Sequence, residues 1–258
     1  QKAGQINMFE HVLSQMLPTV MGQIMEITEE ESRDYDTVRA KEAADQAVQK
    51  LKAPFEAVAD LWTSAYFGND FSRGHYDEAL GVIGQPETLL GLQPVARARE
   101  MADDRRFFHW ELAFPEVFYD EHGERLGAQA GFDAVAGNPP YVSFGLGRTG
   151  KLSTCSEEFY RKAFEGSAEY KISVYALFIE QALAKCRSGG YASLIVPDSF
   201  LTGRYNAKVR AYLLTESFLQ YIVAFDQDFW KTGDVGFPTI FVTQRCAEGW
   251  SVGDASPQ

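Results

Sequence analysis

Short apolar segments alternate with longer amphipathic segments in the second half of the chain, and this alternation constrains the fold more than any other feature. The segments with strand character are residues 132–136, 191–196, 221–225 and 239–243. Apolar residues recur at helical spacing over 170–187, where Gly189-Gly190 is expected to stop the helix, and over 204–216. Strands that alternate with helices in this way indicate an α/β fold, with a mostly parallel sheet covered by helices on both faces.

The first half of the chain has helical character throughout. Residues 5–27 show helical periodicity that Pro18 is expected to interrupt, 34–67 form one long helix or two, and 70–105 contain short helical pieces between glycines and prolines. We therefore divide the chain into a helical accessory region over 1–105, a catalytic region over 106–246 and a polar tail over 247–258.

Composition limits the classes of function. The three cysteines, Cys155, Cys186 and Cys246, are far apart, which argues against a disulfide framework or a zinc site and fits a reducing cytoplasm. No apolar run approaches the ~18 residues of a membrane span, so no membrane partner is expected. The net charge of −12 does not by itself suggest a nucleic-acid partner. Basic residues nevertheless gather in two groups, Arg148, Lys151, Arg161, Lys162 and Lys171, and then Arg204, Lys208 and Arg210.

The segment with the clearest chemistry is Gly137-Asn138-Pro139-Pro140-Tyr141, directly after the first predicted strand. Two adjacent prolines restrict the backbone, and sheets of this class bind ligands at the carboxyl ends of their strands. The Asn138 side chain and the Pro139 carbonyl offer two oxygen acceptors, which together can hold both protons of a planar NH2 group. Tyr141 offers a ring on which a planar group can stack. The alternative is that these residues only form a rigid turn.

The run FDAVAGNPPYV, residues 132–142, resembles the fourth motif of the gamma-class adenine-N6 DNA methyltransferases. It is most similar to the Eco57I-type methylases of bacterial restriction–modification and phage defence. Further similarity to that family follows in the family's order, strongest between residues 107 and 245. The similar segments are 59–62, 108–118, 170–180, 189–201 and 237–242.

This resemblance implies a Rossmann-like sheet, S-adenosylmethionine as cofactor, no metal, and duplex DNA with a flipped adenine as substrate. Asn138 and Pro139, in the loop that Pro140 stiffens, would hold the N6 amine, and Tyr141 would stack on the base. Phe178 falls where the family places a ring against the cofactor's adenine, although a core position on an amphipathic helix is the alternative. Phe237 or Phe241 would form a second wall of the base pocket.

A glycine-rich run, Gly145 to Gly150, fits the G-x-G-x-x-G pattern of dinucleotide-binding loops. It does not directly follow a strand, and residues 151–154 do not read as a helix start. We therefore expect a flexible loop beside the base pocket and not a phosphate-binding loop.

The family's cofactor loop, an aromatic-x-Gly-x-Gly turn, is not recognisable between Gln1 and Asp133, and the chain begins without Met. We therefore expect a fragment of a longer bacterial or archaeal protein, whose remainder supplies the cofactor loop and a target-recognition domain. Two alternatives stay open. One is a protein-glutamine or RNA methyltransferase, and the other is a piece that is inert alone and serves a structural or docking role.

Overall fold

The computed structural model describes residues 2–29, 34–144, 151–227 and 236–247. Two compact units divide the chain, Gln1–Leu126 and Gly127–Gln258. The predicted α/β class with a mostly helical N-terminal region is confirmed. The boundary between residues 105 and 106 stays a prediction, as does the polar tail, of which all but Ala247 lies outside the described residues. No helix in the described part of the chain is both long enough and apolar enough to cross a bilayer.

The first unit is built from seven α-helices in its described ranges. They are α1 (Lys2–Glu29), α2 (Tyr35–Ser64), α3 (Arg73–Gly81), α4 (Pro86–Gly91), α5 (Gln93–Arg105), α6 (Trp110–Ala113) and α7 (Pro115–Phe118). The expected interruption at Pro18 is wrong, because α1 continues through it. Helix α2 begins where the Asp34 carboxylate accepts a hydrogen bond from the Thr37 backbone N–H, which satisfies a donor that the helix start leaves free.

The core of this unit lies between α2, α3, α4 and α5. Val58, Leu61, Leu89 and Val95 are each fully buried there, where burying one such side chain contributes about 1.5–3 kcal/mol. Asp60 on α2 also accepts a 2.8 Å hydrogen bond from the His109 ring. This bond joins two of the segments that carry the family resemblance, 59–62 and 108–118.

The second unit contains a four-stranded sheet. Its strands are β1 (Phe132–Gly137), β2 (Cys186–Pro197), β3 (Ser217–Ala224) and β4 (Pro238–Arg245), in the order β1-β2-β4-β3. β1 and β2 are parallel, while β4 is antiparallel to both β2 and β3. Three strands therefore run in one direction, as expected, but β4 is reversed between two of them.

Four α-helices accompany the sheet in its described ranges: α8 (Thr154–Ala163), α9 (Val174–Lys185), α10 (Ser199–Thr202) and α11 (Ala207–Glu216). α9 crosses from β1 to β2 and packs on both, and its apolar face shares one core with the sheet and with Val209 and Leu213 of α11. The expectation that no helix opens near residues 151–154 is wrong. Ser153 caps α8 by accepting a hydrogen bond from the Ser156 backbone N–H. The glycine-rich run 145–150 lies outside the described residues.

Gly189-Gly190 does not stop α9, since the helix already ends at Lys185 and both glycines lie within β2. A Cβ atom at Gly190 would lie 2.8 Å from the Phe132 carbonyl oxygen, and Gly189 has φ of +75°. Gly190 therefore allows β1 to approach β2 closely, because a side chain there would collide with β1. Gly189 allows β2 to adopt a positive φ, which residues with a side chain rarely do.

Candidate active site

The carboxyl ends of β1 and β2 meet at one edge of the sheet, because the two strands are parallel and Gly137 pairs with Leu194. β4 starts at the same edge, where Pro238 pairs with Pro197. The residues next to these strand ends, Asn138, Asp198 and Phe237, therefore gather there. The Asp198 backbone N–H donates a 2.7 Å hydrogen bond to the Phe237 carbonyl, which ties two of the three segments together.

The loop after β1 alternates between solvent and core. Asn138 and Pro140 are exposed, whereas Pro139 between them is buried. A buried proline with a restricted backbone anchors the loop. The anchoring leaves the Asn138 amide at the surface of the edge and free to accept hydrogen bonds from a ligand.

The far end of this loop is held against the start of α9. The Val174 N–H donates to the Val142 carbonyl and the Phe144 N–H donates to the Ile172 carbonyl, both at 2.9 Å. Ser143 and Ser173 form an isolated antiparallel bridge between these two bonds. The loop is thus hydrogen-bonded on both sides of this bridge, which limits the positions that Tyr141 can adopt.

Tyr141 is half-buried, and its hydroxyl oxygen is buried without a hydrogen-bond partner among the described residues. Its ring meets the Tyr175 ring edge-on, with centroids 6.5 Å apart. Burial raises the pKa of Tyr141, so the hydroxyl keeps its proton near neutral pH. A buried donor without a partner is uncommon in folded proteins, and a ligand at this edge would satisfy it.

Tyr175 belongs to a small polar network that joins three segments. The Asn206 Nδ2 donates to the Tyr175 hydroxyl at 2.8 Å and to the Ser199 carbonyl at 2.9 Å. Asn206 is only 6% exposed. This network connects α9 to the start of α10 and to the segment after it, and it therefore positions the ring against which Tyr141 packs.

The three candidate phenylalanines have different surroundings. Phe178 lies on α9 and is 48% exposed, so its ring has a free surface among the described residues, and Phe237 is 46% exposed. Phe241 is fully buried and its ring lies 5.6 Å from that of Phe200. A fully buried ring cannot stack on a ligand, so of the two rings proposed as a pocket wall only Phe237 has a surface to offer.

Asp198 is a polar residue of this edge that the sequence analysis did not single out. A Cβ atom at Gly236 would collide with an Asp198 carboxylate oxygen, and Gly236 has φ of +80°. The carboxylate therefore lies against the backbone just before Phe237. The sequence could have identified Asp198, because it directly follows the predicted strand that became β2 and ligands bind at the carboxyl ends of such strands.

Comparison with known proteins places these features among the restriction–modification methylases. The sequence model of the family described as Eco57I restriction-modification methylase matches residues 23–230. The type II methyltransferase M.PaeR7I of Pseudomonas aeruginosa is 27% identical over 115 residues, 44% of this chain. The match spans only 19% of the length of that relative.

Two solved structures show distant likeness. One, from work on the assembly and conformational transition of a type I restriction–modification system, is 19% identical with a TM-score of 0.34 and covers 45% of this chain and 22% of its own. The other, a Listeria monocytogenes protein described as a class I S-adenosylmethionine-dependent methyltransferase, is 13% identical with a TM-score of 0.37. It covers 99% of this chain and 90% of its own. Both TM-scores are too low to establish a shared fold.

Proposed function

The chain belongs to the Eco57I restriction-modification methylase family, and from this premise we propose that it holds the target amine during S-adenosylmethionine-dependent methylation of adenine N6 in DNA. The observation that carries the proposal is the loop after β1, where exposed Asn138 follows the strand end and buried Pro139 anchors the backbone. Membership of this family supports methyltransferase activity of the restriction–modification type, and the adenine substrate is a further part of the proposal.

The chemistry follows from two acceptors on a rigid loop. The Asn138 side-chain oxygen and the Pro139 carbonyl oxygen each accept a hydrogen bond from one N–H of the N6 amine. The lone pair of an aromatic amine is delocalised into the ring, and two acceptors favour the tetrahedral geometry in which the lone pair can attack. Tyr141 stacks on the base, which has to leave the duplex before its amine can reach the loop. Phe237 at the same edge offers a second ring surface.

S-adenosylmethionine supplies a methyl group bonded to a positively charged sulfur. Phe178 fits a role beside it, because a half-exposed ring on a helix that packs against β1 can stack on an adenine. No aromatic-x-Gly-x-Gly turn is recognisable in residues 1–133. Among the described strands β1 pairs only with β2, so its other edge is open to a further strand. We propose that the remainder of a longer protein supplies the cofactor loop there, together with a target-recognition domain.

The two acceptors would also suit a glutamine side chain or an adenine in RNA, since both carry a planar NH2 group. Membership of a restriction–modification family favours duplex DNA. Incubation of the full-length protein with S-adenosylmethionine and duplex DNA, RNA of the same sequence or a glutamine-containing peptide separates the three. Mass spectrometry of the digested products identifies which amine is methylated.

The decisive variant is Asn138→Ala. Loss of one hydrogen-bonding group that acts on the reacting centre costs about 100-fold or more in rate, so we expect N6-methyladenine formation to fall at least that far. DNA binding is expected to stay unchanged. Gln129→Ala is a matched control, since it removes an exposed amide before the opposite end of β1. The proposal fails if Asn138→Ala methylates adenine within threefold of the unaltered protein.

A further inference from the structure

Two exposed tyrosines and two cations form a cluster near the candidate site, here called the aromatic–cation cluster: Tyr170, Lys171, Arg204 and Tyr205. Tyr170 is 77% exposed and Tyr205 39%, and their ring centroids lie 5.9 Å apart. The Lys171 Nζ lies 5.3 Å from the centre of the Tyr205 ring, and the Arg204 guanidinium carbon lies 6.0 Å from it. The cluster therefore combines ring surfaces open to solvent with positive charge.

The cluster is anchored to both loops of the candidate site. Lys171 directly precedes Ile172, whose carbonyl accepts a hydrogen bond from Phe144 of the loop after β1. Arg204 follows α10, which begins just after the end of β2. Lys171 lies two residues before Ser173, and Ser173 bridges to Ser143, two residues after Tyr141, so the cluster adjoins the loop that carries Tyr141.

The charge of the cluster is opposite to that of the chain. The net charge is −12, yet residues 199–215 contain three cations and no acidic residue. The acidic neighbours are already engaged. The Glu169 carboxylate accepts from the backbone N–H groups of Ala207 and Lys208 at 3.2 and 3.1 Å, and the Glu157 carboxylate pairs with Arg161 at 2.7 Å.

Lys171 and Arg204 form no ion pair with any residue that the structure describes. A groove of about 310 Å³ adjoins the cluster and is lined by Tyr170 and Lys171 and by Phe144 of the loop after β1. Its charged lining residues besides Lys171 are Lys151 and the ion pair of Arg161 with Glu157. Exposed rings, cations without an ion-pair partner among the described residues and an adjoining groove together suit a polyanion that also carries flat rings.

We propose that the aromatic–cation cluster binds the DNA strand beside the target base, with Tyr170 and Tyr205 stacking on a flanking base and Lys171 and Arg204 contacting phosphates. The inference rests on the proposed function, because it takes Tyr141 as the site of the flipped base. Successive nucleotides of one strand are about 3.4 Å apart, and the cluster adjoins the loop of Tyr141, so nucleotides beside the flipped base would meet it. An acidic peptide would match the charge but would leave the ring surfaces without a partner.

The test measures binding of fluorescently labelled DNA to the full-length protein by anisotropy, with a single-stranded oligonucleotide and a mixed-sequence duplex as probes. Loss of a stacking ring weakens binding by about 5- to 150-fold per base, so we expect Tyr170→Ala with Tyr205→Ala to weaken single-strand binding by at least fivefold. The double variant Tyr170→Phe with Tyr205→Phe keeps both rings and should bind the single strand as tightly as the unaltered protein. Lys171→Ala should lower the slope of log affinity against log salt by about 0.7 to 0.9.

Tyr35→Ala is a matched control. Tyr35 is 73% exposed and has the Arg39 guanidinium carbon 5.6 Å from its ring centre, but it lies on α2 in the other compact unit. Its loss should leave DNA binding unchanged. Thermal melting of each variant checks that the fold is intact.

The proposal is overturned if the double Ala variant binds both probes as tightly as the unaltered protein, or if Tyr35→Ala weakens binding equally. It is also overturned if polyglutamate displaces DNA as effectively as unlabelled DNA does, since the surface would then recognise charge alone. Failure of the proposed function is separable. If no adenine is methylated but the cluster variants still lose DNA binding, only the reaction has been misassigned.

Discussion

Asn206 is the position at which a single substitution should most clearly reveal how the candidate site is held together. Its amide donates two buried hydrogen bonds, to the Tyr175 hydroxyl and the Ser199 carbonyl, and Asn206→Ala removes both. In this variant each of the two acceptors keeps another hydrogen-bonding contact. The Tyr175 hydroxyl lies 3.4 Å from the Ser199 hydroxyl, and the Ser199 carbonyl accepts a 2.7 Å hydrogen bond from the Gly203 backbone N–H. The cost is therefore about 1 kcal/mol per bond, or ~2 kcal/mol in total.

Hydrogen–deuterium exchange of peptides from α9 and α10 measures this free energy locally, without assuming that both compact units unfold together. A loss of ~2 kcal/mol corresponds to roughly 30-fold faster exchange. Tyr175→Phe removes one of the same bonds, so the double variant should lose about 1 kcal/mol less than the sum of the two single losses. Asn206→Asp should be at least as damaging as Asn206→Ala, because a carboxylate cannot donate to either oxygen.

Two results would refute this reasoning. Exchange in Asn206→Ala within twofold of the unaltered protein would mean that the network contributes nothing to the site. Strict additivity of Asn206→Ala and Tyr175→Phe would mean that the two residues act separately. Gln220→Ala, which removes an exposed amide on β3, serves as the control and should leave exchange in α9 unchanged.

Three further predictions concern the second unit. Phe241→Ala should lower the free energy of unfolding in urea by about 3–5 kcal/mol, because its ring is fully buried. Phe237→Ala should change that free energy by no more than about 0.5 kcal/mol and should reduce only methylation. Equal losses of stability in the two variants would contradict this prediction. Gly190→Ala should destabilise the second unit by about 1–3 kcal/mol, since its Cβ would lie 2.8 Å from the Phe132 carbonyl oxygen. An unchanged melting temperature would contradict the close approach of β1 to β2. Burial raises the pKa of Cys186 from 9.0 to about 11, so the folded form holds its proton where the unfolded form has lost it. Unfolding free energy should therefore fall by up to ~3 kcal/mol between pH 9 and 11, and Cys186→Ala should abolish that part of the fall.

Strand and helix content was readable from the sequence because periodicity is a local property. The four apolar segments all became strands, although β2 and β3 extend further toward the N-terminus than predicted and α9 is shorter. Strand direction is not local. Nothing in residues 239–243 indicates that β4 runs antiparallel between β2 and β3, since that depends on pairing between segments far apart in the chain.

The sequence by itself determined the family, because the family's motifs occur in order along the chain. It also placed Asn138 to Tyr141 at the end of a strand, because a strand followed by two prolines has few conformations. Which phenylalanine is buried was decided only by tertiary packing: Phe237 and Phe241 are close in sequence, yet one faces solvent and the other fills the core. The same holds for the aromatic–cation cluster, in which Tyr170 and Tyr205 come from separate segments. Such pairs form where loops from different strands meet, and that meeting depends on the order and direction of strands in the sheet, which local periodicity does not encode.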